Sequence, residues 1–220
     1  MNTKRRREGG SRKSRLGALL GAAMVAVVGF SSAAEAQQLT TLYSFTGGDG
    51  ANPSAGLMAD PAGNLYGTTA DGGASGQGTV FQLDPSGNPT VLYSFTGGSD
   101  GAYPEAGVIA DMAGNLYGTT YGGGAGGQGT VFQLTPSGTL TVLYSFTGGA
   151  DGGRPGADLI ADAAGNLYGT TALGGANTSC PEGCGTVFEL TVPASFTGGL
   201  ARRNMNTKAL RQGVPRMSHK

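Results

Sequence analysis

The sequence predicts an all-β protein, a β-propeller-like array of three repeats of about 50 residues, each a four-stranded antiparallel sheet. Three observations carry this. The octet AGNLYGTT occurs at 62–69, 113–120 and 164–171, always 51 positions apart. Each unit holds four short segments rich in β-branched, aromatic and aliphatic residues, punctuated by Gly, Pro, Ser and Asn. Helical periodicity is absent from all three units.

In the first unit the segments are GLMAD, LYGTT, GTVFQL and TVLYSF, the last at residues 90–95. The first gap reads DPAGN, DMAGN or DAAGN, which assigns Asp60, Asp111 and Asp162 together with Gly63, Gly114 and Gly165 to structural turns. An Asp carboxylate accepts backbone N–H groups two residues on, and Gly supplies the left-handed corner of a hairpin. DPSGN (84–88) and TPSG (135–138) make a second hairpin in the same way. In TVLYSF, plain alternation puts Val91, Tyr93 and Phe95 on one side and Leu92 on the other; in GTVFQL, Phe81 and Leu83 oppose Val80. Both faces are then apolar, as in a sheet held between neighbouring sheets.

The units run roughly 46–95, 96–146 and 147–197. TTLYSF (40–45) reads as a fourth strand without its own unit, and the third unit stops after GTVFEL without a proper fourth strand. The first can therefore complete the last. Yet propellers typically have about four to eight blades, so three are expected to form an open arc, an incomplete propeller, a fragment of a longer parent, or a homodimer of two arcs completing a ring. A β-solenoid is the alternative architecture.

Outside the repeats, residues 1–36 have the layout of a secretory signal: a basic region, an apolar run from Leu16 to Phe30, and Ala34-Glu35-Ala36 as an A-x-A cleavage site. The apolar run falls short of the roughly 20 residues that span a bilayer, so no membrane span is expected once the signal is removed. Residues 201–220 form a basic irregular tail. The β domain, 37–200, carries one base, Arg154, against twelve acids, although the whole chain is neutral. Such a surface repels phosphate backbones, and no nucleic-acid partner is expected.

The recurring string LYSFTGG.DG..P.AG.IAD.AGNLYGTT..GG....GTVFQL resembles the GloVer repeat (Gloeobacter/Verrucomicrobium repeat) over roughly residues 39–200. The resemblance implies an exported bacterial tandem-repeat protein, secreted or on the cell surface, and brings no catalytic residues with it. The chain departs from the pattern after TVFEL, where the expected turn and strand shrink to TVPASFTGG.

Candidate chemistry is sparse. The single histidine is His219, in the tail, which removes Ser-His-Asp, Cys-His and His/Cys metal arrangements from the repeats. Asp49, Asp100 and Asp151 recur in the GG.DG loops and are candidates for weak calcium binding, the one cofactor considered. One carboxylate per unit is poorly placed for a glycosidase, which needs two converging on one bond. Cys180 and Cys184, in CPEGC, lie within a loop expanded by five residues and are expected to form a local disulfide in an oxidising compartment. Tyr66, Tyr117, Tyr168, Tyr43, Tyr93 and Tyr144 recur and read as packing, whereas Tyr103 and Tyr121 each occur in one unit only and are candidate ligand contacts.

The functional expectation is a secreted non-enzymatic repeat module, an extracellular scaffold or binding surface for a glycan or protein. The alternatives are a carbohydrate-active enzyme using loop carboxylates and a truncated repeat gene product without independent function.

Overall fold

The computed structural model describes residues 37–177 and 179–192; the signal region and the basic tail lie outside them. In the first unit, β1 (Met58–Ala59), β2 (Leu65–Thr69), β3 (Thr79–Leu83) and β4 (Pro89–Ser94) form one antiparallel sheet in sequence order. In the second, β5 (Ile109–Ala110), β6 (Leu116–Thr120), β7 (Thr130–Leu134) and β8 (Leu140–Ser145) repeat it. In the third, β9 (Ile160–Ala161), β10 (Leu167–Thr171) and β11 (Thr186–Leu190) form a three-stranded sheet.

No strand pairs with a strand of another unit among the described residues, whereas a β-solenoid joins successive repeats through continuous ladders. The units instead meet face to face, as propeller blades do. The β1–β4 sheet turns Met58, Tyr66, Val80 and Phe95 toward the next unit, where Val108, Leu116, Phe132 and Leu134 receive them. The same relation joins Tyr117, Val131 and Phe146 to Leu159, Leu167 and Phe188. Each sheet therefore has a forward face marked by the Val of TVF and a backward face marked by its Phe.

Phenylalanines mark each joint. Phe95 stands edge-on to Phe132 at 5.3 Å, Phe146 to Phe188 at 5.2 Å and Phe45 to Phe81 at 4.9 Å, a geometry aromatic rings favour. The receiving ring needs room, and the glycine of LYGTT provides it. Gly118 is the cross-strand partner of Phe132, and a Cβ there would stand 2.7 Å from the ring's Cζ. The close approach served by this glycine is thus within one sheet, between its own strands, and through the seated ring it shapes the face offered to the neighbour.

Two expectations are corrected. Opposite Val80 stands Tyr93, but opposite Phe81 stands Val91, so a bulge at Leu92 interrupts the alternation and sends Val91 and Tyr93 to opposite faces. The same bulge recurs between Val131 and Phe132. Furthermore, TTLYSF forms no strand and pairs with nothing in β11; its Phe45 packs on Phe81 of the first sheet instead. Among the described residues the array holds eleven strands, and no strand pairing links the first sheet to the third.

Replacing Gly118 by Ala should destabilise the protein by about 1–3 kcal/mol, because the added methyl overlaps a buried ring that cannot move away cheaply. Chemical denaturation of Gly118→Ala and of Gly118→Ala with Phe132→Leu checks this: the smaller side chain should recover part of the loss.

Candidate functional site

The two ends of the array differ in kind. One end carries the hairpin corners. Asp60 Oδ1 accepts the N–H groups of Ala62 and Asn64, each at 2.9 Å, and Asp60 Oδ2 accepts the Asn64 side-chain amide at 2.7 Å and the Tyr66 hydroxyl at 3.2 Å. Gly63 supplies the left-handed corner at φ 86°. Asp111 and Asp162 make the same four contacts, with Gly114 and Gly165 at the corners. The Asp, Gly, Asn and Tyr that make these first corners are the same in every unit.

The opposite end carries the long loops on a shared frame. Strand pairs finish in hydroxyl pairs, Thr69 with Thr79, Thr120 with Thr130 and Thr171 with Thr186, at 2.8 to 2.9 Å. The carboxylate of Asp100 accepts the Thr96 N–H at 2.8 Å, the Thr96 hydroxyl at 2.5 Å and the Tyr93 hydroxyl at 3.0 Å. Asp151 does the same with Thr147 and Tyr144, and Asp49 with Thr46 and Tyr43. Each calcium candidate thus ties its own loop. Among the described residues no three His, Cys, Asp or Glu are grouped to hold a metal ion.

These contacts set the acidities. The Tyr43 hydroxyl, followed by the Thr46 N–H, holds the Asp49 carboxyl down at about 2. Partial burial works against the charged form of Asp100 and Asp151, but the bonds from Thr96 and Tyr93, or from Thr147 and Tyr144, outweigh it and keep both below the ordinary range. Burial, then the bond to Asp100, pushes the Tyr93 phenol up to about 12.

Upon this frame stand residues that differ between units. Asn52, Tyr103 and Arg154 occupy one equivalent position, and all three are left-handed, at φ 55°, 56° and 56°. Side chains other than Gly rarely adopt this conformation, and here the backbone on both sides enforces it. The Tyr103 N–H donates to the Gln77 carbonyl at 3.0 Å while its own carbonyl accepts from Tyr121 N–H at 2.9 Å; Arg154 is held likewise between Gln128 and Ala172. Asn52 donates to Asp71 at 2.6 Å, Tyr103 is 39% exposed, and the Arg154 guanidinium lies 5.6 Å over the Tyr121 ring.

Tyr121 and Glu105 both border Gly156, at 3.8 and 3.7 Å from where a Cβ would stand, so an aromatic, a cation and an acid gather at the seam between the second and third units. Beside them opens a cleft of about 560 Å³, bordered by Gln128, Arg154, Asn177 and Glu182. Its rim includes Cys180, joined to Cys184 by a disulfide with Cα atoms 5.3 Å apart. Nearer the inner strands, Asp158 Oδ1 accepts the Gly107 N–H at 2.7 Å, and Asp158 stands where the other units have Gly56 and Gly107.

Tyr103 and Tyr121 were legible from their irregularity. Asn52, Arg154, Glu105 and Asp158 were not, although overlaying the units at the 51-residue spacing shows each as a change within constant surroundings.

Residues 21–211 match the Gloeobacter/Verrucomicrobia repeat family. The chain belongs to that family. No curated protein matches it. Among solved structures, a gluconolactonase from Xanthomonas campestris overlaps 69% of the chain at 20% identity with a TM-score of 0.46, and 46% of that structure is covered. A chain described as a candidate gluconolactonase overlaps 61% at 20% identity and a TM-score of 0.35, with 47% of it covered. The protein thus spans about half the length of these structures, and overlaps this weak carry no argument about its activity.

Acid should destabilise the repeats in a narrow window. Asp49, Asp100 and Asp151 are held below their ordinary value of 3.8, so their stabilisation is complete above it and lost as pH falls through the lowered values, about 2 for Asp49. Thermal melts should be level from neutral pH down to about 4 and fall between about 4 and 2, with a shallower fall in Asp100→Asn.

Proposed function

We propose that this repeat protein is an exported, non-enzymatic binding module whose loop face takes a glycan. The observation that carries this reading is the single left-handed position filled in turn by Asn52, Tyr103 and Arg154. A frame that enforces one backbone geometry while its side chain changes is how a scaffold varies recognition without varying its fold.

The chemistry suits a neutral or acidic saccharide. Tyr103 and Tyr121 offer ring faces for the apolar side of a sugar, Arg154 and Gln128 offer donors, and Glu105 and Glu182 offer acceptors. The lone cation of the acidic β domain, Arg154, stands at the cleft and would meet a carboxylate substituent. An oxidising compartment suits the Cys180–Cys184 bond, in accord with export.

Glycan-array screening followed by calorimetry tests the reading. Binding without turnover is expected, and Tyr121→Ala or Arg154→Ala should weaken it by roughly tenfold or more, about 1.4 kcal/mol, with the melting temperature little changed. Turnover that disappears in Asp158→Asn or Asp100→Asn would replace this reading with the enzymatic one. Binding unaltered by both loop variants would remove the loop face as the site.

A further inference from the structure

The two ends of the array are complementary halves of the joint that already occurs twice inside it. The β9–β11 sheet packs its backward face on the second unit, but among the described residues nothing covers its forward face. Val187 is 82% exposed, whereas its equivalents Val80 and Val131 are 0% exposed. Ile160, equivalent to half-buried Met58 and Ile109, is 67% exposed. The β11 edge, where β4 pairs with β3 and β8 with β7 in the other units, has no partner strand among the described residues.

At the other end lies the mirror deficit. Residues 40–45, TTLYSF, differ from TVLYSF at 90–95 and 141–146 by one residue, yet belong to no sheet. Their local conformation is already that of a fourth strand's end. Tyr43 and Thr46 bind Asp49 as Tyr93 and Thr96 bind Asp100, and Phe45 packs on Phe81 as Phe95 packs on Phe132. The segment is thus seated against the first sheet as though a preceding blade were present, with its backbone ladder unmade.

We propose that residues 40–45 of one copy add to the β11 edge of a second copy as its fourth strand, so that the first sheet of one chain packs on the third sheet of the other. The register follows from the internal joints: Tyr43 stands opposite Val187 as Tyr93 does opposite Val80, and the Phe45 N–H donates to the Gly185 carbonyl as Phe95 does to Gly78. Main-chain bonds along the edge supply affinity and the Phe45 seat supplies register. Blade number sets the stoichiometry. The described residues of one copy provide three blades, so two copies provide six and three provide nine, and only six falls within the usual range of about four to eight. Two such joints close a dimeric ring and leave neither the β11 edge nor a blade face uncovered.

Disulfide trapping in the full-length chain tests this, because both positions are accessible before assembly. Chains carrying Tyr43→Cys are mixed with chains carrying Val187→Cys under mild oxidation, and light scattering follows the unsubstituted protein. The expected results are a cross-link between the two chains, a mass of twice the monomer, and a return to monomer in Val187→Lys with unchanged far-ultraviolet circular dichroism. A concentration-independent monomer overturns the proposal. So does a cross-link that forms only within a single chain carrying both cysteines, which would mean that the segment closes its own ring. Protection of Val187→Cys by residues 193–196 of its own chain, seen as thiol reactivity restored when Phe196 is replaced by Asp, overturns it as well.

Discussion

The structure depends on one contact, a phenylalanine ring laid over a glycine in the neighbouring strand and met edge-on by a phenylalanine from the preceding unit. The ring of Phe132 fills the space that a side chain at Gly118 would take, and Phe95 closes on it from the first sheet. The joint is apolar and repeated, and fully buried where Phe95 meets Phe132, so the sheets stack without any backbone ladder between them among the described residues. Polar groups add direction. Thr68 donates to the Ala106 carbonyl at 2.9 Å across the first joint, and the Thr69–Thr79 hydroxyl pair fixes the end of its own strands. Every letter of GNLYGTT is thereby used: Gly and Asn in the corner, Leu and Tyr in the two faces, Gly under the ring, and one Thr for each kind of bond.

This packing leaves one end of the array constant and the other variable. The corner end repeats its residues because Asp60, Asn64 and Tyr66 form a closed set of hydrogen bonds that tolerates little change. The loop end keeps its backbone constant with Thr–Asp clamps and left-handed positions, and lets the side chains differ. The acidic β domain sets its single base, Arg154, over the Tyr121 ring and at the edge of the cleft, so under the proposed binding role one seam differs in charge from the rest of the surface.

Much of the fold was legible in the sequence because its strands are short, β-rich and bounded by glycine turns. The segments around LYGTT and TVFQL coincide with β2 and β3 to within a residue. The bulge at Leu92 was not legible, since TVLYSF alternates cleanly and only the pairing with β3 reveals the extra residue. Nor was the fate of TTLYSF, whose composition is that of a strand but whose partner edge is missing from its own surroundings. In the candidate site, Tyr103 and Tyr121 stood out as aromatic exceptions. Arg154 and Asp158 did not, because a single polar residue in a glycine-rich loop acquires meaning only when the fold places its equivalents side by side.

The units are held together by ring-to-ring packing across each joint. A double-mutant cycle on Phe95 and Phe132, each replaced by Leu and followed by chemical denaturation, tests it most directly. Direct packing predicts a coupling of about 0.5–1.5 kcal/mol between the two changes. Stability losses that simply add, within about 0.3 kcal/mol, would contradict it and place the cohesion of the array elsewhere.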